Sequence, residues 1–273
     1  MTLTTDRSSA FRELHKSGCF VLPNPWDVGS ARVLAQLGFQ ALATTSSGFA
    51  WSLGRPDHNH VSLNEALTYF RSIAESVGVP VNADFEGGFA IAPDAVGANV
   101  AAATTAGIAG LSIEDSTGDP SNPLFDFAVA VERIRAARQA IDESGTGVLL
   151  TGRSEGFIVG RPNLKETIRR LTAYADAGSD CLFAPGLRSI PDIVAVVKAV
   201  APKPINVLAG SDFATVKELA DAGVRRISVG GALARVAWTG FLEAATEIAR
   251  QGTFTNLGRA ASFADVNGLF GRE

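Results

Sequence analysis

Two carboxylates, Asp84 and Glu86, stand one residue apart at the end of an apolar run and directly before a pair of glycines. A strand that ends in this way places acids at the edge of a sheet, where a cation or a substrate can be held. Glycine at such a point lets the backbone turn sharply and approach a ligand closely. The pattern therefore predicts a ligand site at this strand end.

Further charged residues end two later apolar runs: Glu114 and Asp115 after one, Arg153 and Glu155 after the next. Carboxylates from successive strands favour a divalent cation, and Mg²⁺ suits such oxygen ligands. A single acid at a strand end is often only a helix cap or half of an ion pair. Several acids with one arginine exceed what packing requires, because buried unpaired acids are costly. Together they predict a metal site.

Short apolar runs recur along the whole chain and alternate with helical patterns. The candidate strands are 19–24, 40–46, 79–84, 110–114, 147–152, 181–184, 204–209 and 225–230. Their continuous apolar character is typical of strands buried on both faces. Eight β/α repeats without a composition break predict one α/β domain over residues 1–273, a (β/α)8 TIM-type barrel with repeats at about 19–252 and a helical tail at about 253–273. An open doubly wound sheet is less favoured, because it concentrates its chemistry at one switch point.

The composition limits the classes of partner that the protein is expected to bind. The chain is 46% hydrophobic and 19% charged, and its net charge of −4 argues against nucleic acid or an anionic membrane surface. The N-terminal residues lack the apolar core of a signal peptide, and no apolar stretch approaches the ~20 residues that span a bilayer. We therefore expect a soluble, cytoplasmic protein.

Two other segments carry weaker signals. The hydroxyls and backbone N–H groups of 44–48 are suited to gripping a substrate carboxylate, although such turns are often plain loops. Glycines near Gly210 and Gly231 are compatible with a phosphate cradle, so a sugar-phosphate barrel enzyme is one alternative. The three histidines, at 15, 58 and 60, lack the spacing of zinc ligands.

The motifs together resemble the isocitrate lyase/phosphoenolpyruvate mutase superfamily. Asp84-Phe-Glu-Gly-Gly-Phe89 is similar to its acidic motif, Asp-x-Asp-x-Gly-Tyr. The other matching segments, in the family's order, are 24–32, 38–48, 113–115 and 152–155. The likeness runs from about residue 11 to residue 250.

This resemblance implies a barrel whose C-terminal helix is swapped between subunits of a homo-oligomer, commonly a dimer of dimers. It implies Mg²⁺, with Mn²⁺ as a substitute, bound directly by Asp84 and largely through waters by Asp57, Glu86 and Glu114. The substrate would be a small α-oxo or 2-hydroxy acid. The implied catalytic residues are Arg153, Glu114 and Asp57, and the implied substrate-binding residues are Trp26, Thr45, Ser46, Ser47, Gly48, Arg153, Glu155 and Asn206.

In the reaction that the resemblance implies, breaking the bond beside a carbonyl leaves a pyruvate-type enolate, stabilised by Mg²⁺ and Arg153. The lyase branch carries a Lys-Lys/Arg-Cys-Gly-His loop, whereas residues 116–126 contain neither cysteine nor histidine. The mutase branch has a lysine in this loop and a histidine on the sixth strand, where this chain has Pro185. These departures argue against isocitrate or methylisocitrate cleavage through that cysteine and against phosphonomutase activity. The leading expectation is cleavage of a C–C bond by a lyase or decarboxylase that does not use this cysteine. Alternatives are phosphonomutase or phosphonopyruvate hydrolase chemistry at a C–P bond, and a weakly catalytic α-oxo-acid binding protein.

Overall fold

A computed structural model describes residues 3–58 and 60–271, and all eight predicted apolar runs contain strands in it. The strands are β1 Phe20–Leu22, β2 Leu42–Ala43, β3 Val81–Asp84, β4 Gly110–Glu114, β5 Leu149–Arg153, β6 Cys181–Phe183, β7 Ile205–Leu208 and β8 Arg226–Ser228. Every pairing among these described strands is parallel, in the order β1-β8-β7-β6-β5-β4-β3-β2. The predicted (β/α)8 barrel is confirmed.

The barrel closes between β1 and β2 without a regular ladder. The Ala43 N–H donates to Pro23 O at 3.0 Å. The Asn24 side chain then spans the seam: its Nδ2 donates to Thr44 O at 2.9 Å, and its Oδ1 accepts from the N–H groups of Val229 and Gly230, each at 2.9 Å. One buried amide therefore joins the ends of β1, β2 and β8.

The helices of the described residues surround the strands. They are α1 Leu3–Leu14, α2 Val28–Gln36, α3 Ser46–Ser52, α4 Leu63–Ser76, α5 Pro93–Ala103, α6 Phe127–Ser144, α7 Leu164–Asp176, α8 Ile190–Val200, α9 Val216–Asp221, α10 Ala232–Gln251 and α11 Phe263–Gly268. Helix α4 begins with the reciprocal hydrogen bonds of a Ser62/Glu65 capping box. None of the helices in the described part of the chain is long and apolar enough to cross a membrane.

Helix α1 covers the end of the barrel where the strands begin. Phe11 and His15 pack edge-on against Phe20, the first residue of β1. His15 Nδ1 lies 2.8 Å from Phe11 O, and its Nε2 lies 3.4 Å from a nitrogen of Arg226, the first residue of β8. The carbonyl needs a donor and the guanidinium needs an acceptor, so the imidazole is neutral with its proton on Nδ1.

Acid should destabilise the protein through His15. Burial, and then the neighbouring Arg226 charge, lower the pKa of His15 from 6.5 to about 3. A pKa that is lower in the folded state gives stability above the unfolded pKa, which is lost as the pH falls toward the folded pKa. We expect the wild type to lose about 2 kcal/mol of unfolding free energy through this group between neutral pH and about pH 5.

Denaturant unfolding at the two pH values tests this expectation. The His15→Gln variant should show a pH dependence smaller by that amount, whereas His60→Gln, at an exposed position, should keep the wild-type dependence. An unchanged pH dependence in His15→Gln would show that other groups cause the acid loss.

Helix α10 and the tail after it present many apolar side chains to solvent. Glu247 accepts hydrogen bonds from the N–H groups of Thr255 and Asn256, which fixes the tail where it leaves α10. The tail then forms a 3₁₀ turn at Thr255–Arg259 and the short α11, and it returns to α2 through a 2.7 Å bond from Gln36 Nε2 to Leu269 O. The exposed apolar side chains include Val236, Trp238, Phe241, Leu242, Phe254, Leu257 and Phe263.

Candidate active site

A cavity of about 180 Å³ opens at the ends of the strands and reaches into the barrel. Seven of the predicted site residues form part of its wall: Thr45, Ser46, Ser47, Asp57, Asp84, Arg153 and Asn206. The carboxyl ends of parallel strands meet at one face of a barrel, and this brings residues distant in sequence together.

Arg153, the last residue of β5, joins the acids of three strand ends. Its terminal nitrogen lies 3.3 Å from Asp84 Oδ1 and 3.2 Å from Glu114 Oε2. Its Nε donates to Glu155 Oε1. Register explains part of this cluster, because Glu114 and Arg153 are direct neighbours across β4 and β5. A single guanidinium is therefore shared by three carboxylates.

The charges of this cluster are not balanced by the arginine. Burial raises the pKa of Glu114 well above its ordinary value; Arg153 opposes the shift, and the charges of Glu155, Asp84 and Glu86 add to it. Burial also raises the pKa of Glu155, again against the effect of Arg153. Another positive charge at this place would stabilise the ionised carboxylates.

The carboxylate oxygens at this site are of the kind that binds Mg²⁺. Among the described residues, no three Asp, Glu, His or Cys side chains converge in a geometry that could hold a metal ion by themselves. Mg²⁺, however, keeps several waters and is commonly bound through one or two carboxylates. Asp84 and Asp57 both face the cavity, and the surplus negative charge lies directly beside them. The structure thus offers a water-assisted site rather than a closed cage.

The loop after β3 is held in an unusual conformation. Glu86 is buried and has a φ of +44°, a region that residues other than glycine rarely adopt. The buried guanidinium of Arg133 on α6 donates to the carbonyls of Gly87, Ala90 and Ile91. This clamp was missed in the sequence, where Arg133 is one polar residue within an amphipathic helix.

The predicted carboxylate loop is linked to the acids. The Ser46 N–H, at the start of α3, donates to Asp84 Oδ2 at 3.0 Å, and Thr44 Oγ1 accepts from the Asp84 N–H at 2.8 Å. Thr45 Oγ1 and Ser47 Oγ lie 3.0 Å apart. Gly48 has a packing role, since an added Cβ would come within 2.7 Å of the Thr45 side chain.

Three of the predicted residues make contacts that the sequence did not indicate. Trp26 lines a separate apolar hollow with Trp238 and Phe241 of α10. Glu155 is almost fully buried beside Arg153. Asn206 faces the barrel interior, where its Oδ1 accepts from Arg226 Nε at 2.9 Å.

Asp115 connects Glu155 to the loop 116–126. Its Oδ1 accepts from the Glu155 N–H at 2.7 Å, and its Oδ2 accepts from Tyr174 Oη at 2.6 Å and from Arg170 at 3.0 Å. Arg170 also donates to Phe125 O at the far end of the loop. Sequence reasoning noted Asp115 but missed these partners, which lie more than 50 residues away on α7.

The glycine-rich segment after β8 does not offer a free phosphate cradle. The N–H groups of Val229 and Gly230 both donate to Asn24 Oδ1. A phosphate bound there by backbone donors would have to displace this buried amide. The sugar-phosphate alternative loses its main support.

The chain is thus a parallel (β/α)8 barrel with an arginine-centred acid cluster at the ends of its strands. The chain matches the family model described as phosphoenolpyruvate phosphomutase over residues 11–249. It belongs to this family, within the isocitrate lyase/phosphoenolpyruvate mutase superfamily. The resemblance seen in the sequence is confirmed.

Two sequence relatives cover most of the chain. An uncharacterized protein of Mycobacterium tuberculosis is 35% identical over 243 residues, which is 88% of each chain. An oxaloacetate decarboxylase of Pseudomonas entomophila is 28% identical over 235 residues, covering 83% of this chain and 79% of that enzyme.

Solved structures show the same fold. A Burkholderia cenocepacia protein, classed provisionally as a lyase/mutase, is 45% identical with a TM-score of 0.94, covering 99% of this chain and 97% of that one. Oxaloacetate acetylhydrolase with its product oxalate is 26% identical, with a TM-score of 0.86 and coverage of 98% and 94%. Phosphonopyruvate hydrolase with oxalate and Mg²⁺ is 25% identical, with a TM-score of 0.85 and coverage of 97% and 95%.

Proposed function

We propose that the protein is a Mg²⁺-dependent enzyme that cleaves a C–C bond of a small α-oxo or 2-hydroxy acid and leaves a pyruvate-type enolate. The observation that carries this proposal is the position of Arg153, which faces the cavity and contacts the three carboxylates of Asp84, Glu114 and Glu155. A cation held in this way can stabilise negative charge that develops on a carbonyl oxygen.

The position of each predicted residue would set its role in the reaction. The loop of Thr45, Ser46, Ser47 and Gly48 would receive the substrate carboxylate, with Ser46 free to do so once Asp84 turns from its N–H group. Arg153 would hold the developing oxyanion, because its guanidinium is fixed by Glu155. Asp57 and Glu114 would complete the catalytic set as groups that hold or pass a proton.

Further residues would bind the substrate or shape its binding site. Asn206 lines the cavity wall, Glu155 orients Arg153, and Trp26 supports Gly48 from outside. Phe183 packs against the Arg153 guanidinium at 5.3 Å from its ring centre. These contacts limit the ways in which Arg153 can move during the reaction.

Asp84 would hold Mg²⁺ directly, with Asp57, Glu86 and Glu114 reaching it through waters and Mn²⁺ able to substitute. When bound, the metal supplies Lewis-acid polarisation of the carbonyl oxygen. The surplus of buried carboxylate charge supports this assignment, as does the similarity to a phosphonopyruvate hydrolase solved with Mg²⁺.

A screen of acids tests the proposed reaction. Pyruvate release should be followed from oxaloacetate, 2-methylmalate-type acids, methylisocitrate and phosphonopyruvate, with Mg²⁺ and with a chelator. We expect metal-dependent pyruvate release from one of the first two. Release from phosphonopyruvate alone would establish cleavage of a C–P bond instead. This is the second candidate, because the chain is similar to a phosphonopyruvate hydrolase. Binding without turnover of any acid would establish a binding protein.

We also propose that α10 and the tail are covered by a second copy of this chain in a homo-oligomer, with α10 exchanged between subunits as part of a dimer of dimers. Apolar side chains such as Phe241, 59% exposed, are unusually numerous along this helix for a free surface. The helix also lies close to Trp26, so a partner would complete the outer wall beside the site.

Light scattering tests the oligomer. Phe241→Glu should shift the protein to a smaller species, because a charge would be buried at the contact. Glu243→Gln, an exposed change on the same helix, serves as the control. A monomeric wild type would contradict the proposal.

A further inference from the structure

A buried arginine on α6 holds the loop that follows β3. Arg133 is only 1% exposed. One of its terminal nitrogens donates to Ala90 O at 2.5 Å and to Ile91 O at 2.6 Å, and the other donates to Gly87 O. Hydrogen bonds from a charged donor are stronger than those between neutral groups. The guanidinium therefore fixes both ends of the segment 87–91 to one helix.

The backbone of this loop is unfavourable by itself. Glu86 and Phe89 have φ values of +44° and +54°, and Gly88 between them has a φ of +75°. The left-handed region is costly for residues other than glycine, and such residues stay there only where their surroundings impose it. The carbonyls that Arg133 binds lie within and directly after this stretch, so its hydrogen bonds supply such a constraint.

A second segment covers the guanidinium from another side. The ring centre of Phe125, at the end of the loop 116–126, lies 4.0 Å from Arg133 Cζ. Phe125 is itself held through its main chain, because its N–H donates to Asp115 O at 2.9 Å and its carbonyl accepts from Arg170 at 3.1 Å. The Arg133 side chain thus lies between two fixed segments, which limits its own movement.

The constrained loop carries one of the acids of the proposed metal site. Glu86 begins the left-handed stretch, and its carbonyl accepts from the Glu114 N–H at 3.0 Å. Both residues belong to the set that would reach Mg²⁺ through waters. Mg²⁺ requires near-ideal octahedral geometry, so the groups around its waters have to be placed accurately. The place of the Glu86 carboxylate depends on the φ of Glu86, and hence on what holds the loop.

We propose that Arg133 is a positioning residue of the metal site, which holds the loop 86–91 so that Glu86 is placed to support Mg²⁺ at Asp84. This inference rests on the proposed function, because it takes Mg²⁺ as the ion of the site. Arg133 is not among the described residues that line the cavity. It would therefore act through the main chain of the loop and not by contact with the ion or the substrate.

Calorimetric titration with Mg²⁺ alone tests this role. Arg133→Met keeps the apolar stem and removes the donors, and it should raise the Kd for Mg²⁺ roughly 10- to 100-fold, the usual effect of losing a group that orients metal ligands. Arg133→Lys keeps the charge but lacks the planar fork, so its Kd should be intermediate. A wild-type Kd in Arg133→Met would overturn the inference. If that variant does not fold, a wild-type Kd in Arg133→Lys would do so.

An arginine at the opposite end of the barrel provides the matched control. Arg7 also donates to two main-chain carbonyls, Ala74 O at 2.6 Å and Val77 O at 2.8 Å, where α4 ends before β3. Arg7→Met should lower the Tm, because those carbonyls lose a charged donor, and it should leave the Kd for Mg²⁺ unchanged. If Arg7→Met weakens Mg²⁺ binding as much as Arg133→Met does, general loss of stability is the cause and the inference is overturned.

Hydrogen exchange without Mg²⁺ examines the loop separately from the metal. The amides of 86–91 should exchange faster in Arg133→Met than in the wild type, because a segment with fewer fixed contacts opens more easily, and Arg7→Met should match the wild type. Unchanged exchange in Arg133→Met would overturn the inference. A wild type that does not bind Mg²⁺ would overturn the proposed metal together with this inference, whereas equal Mg²⁺ affinity in the wild type and Arg133→Met would overturn the inference alone.

Discussion

Replacing Asp84 with asparagine should lower kcat/KM by at least about a thousandfold while leaving the fold intact. Among the described carboxylates, Asp84 alone faces the cavity and contacts both the α3 loop and Arg153. Loss of a metal's polarising effect costs several kcal/mol of transition-state stabilisation, and about 4 kcal/mol corresponds to a thousandfold in rate. The asparagine oxygen can still accept from the Ser46 N–H, so the loop should keep its position.

A binding readout separates this effect from a general loss of activity. Mg²⁺ should raise the Tm of the wild type, because a ligand that binds only the folded state stabilises it, and it should not raise the Tm of Asp84→Asn. Asp27→Asn is the matched control, since asparagine also caps a helix and Asp27 lies at the start of α2 outside the cavity. Metal-dependent turnover in Asp84→Asn would show that another residue holds the metal.

Replacing Arg153 with lysine should lower kcat by roughly a hundred- to a thousandfold, the effect of removing one preorganised donor from an oxyanion site. A lysine keeps the positive charge but lacks the planar fork that reaches Asp84, Glu114 and Glu155 together. KM should change much less than kcat, because the interaction strengthens in the transition state.

The stability of two arginine variants checks the electrostatic part of this argument. Arg153→Ala should unfold more easily than Arg153→Lys, by about 3–5 kcal/mol, since the buried carboxylates then lack a cation. Arg169→Lys, on the exposed face of α7, should match the wild type in both rate and stability. Equal kcat for Arg153→Lys and the wild type would remove Arg153 from the mechanism.

The strands and the charged residues at their ends could be predicted from the sequence, because both depend on short-range patterns. Apolar runs such as Val81–Asp84 end in the charged residues that a parallel barrel gathers at one face. Asp84 and Arg153 therefore lie beside each other, as their places at strand ends predicted. Contacts of residues inside a helix, such as those of Arg170 and Tyr174 with Asp115, have no such local signal.

Arg226 shows this limit clearly. It follows Arg225, and nothing in composition separates the buried arginine from its more exposed neighbour. The signal that could have found it is the period of two along β8, which places 226, 228 and 230 on the cavity side. Trp26 lies outside the cavity, in a separate hollow, for another reason. Its side chain packs beside α10, and the position of α10 depends on tertiary structure rather than on the local sequence.

The seam at Asn24 has a consequence for the motion of the barrel. Between β1 and β2 the structure relies on this amide and on few backbone bonds, whereas most other neighbouring strands share longer ladders. Segments with few backbone hydrogen bonds open at lower free energy than the rest of a fold. The β1–β2 edge is therefore where the barrel should open first in amide hydrogen exchange. Such opening would admit water to the barrel interior from the side.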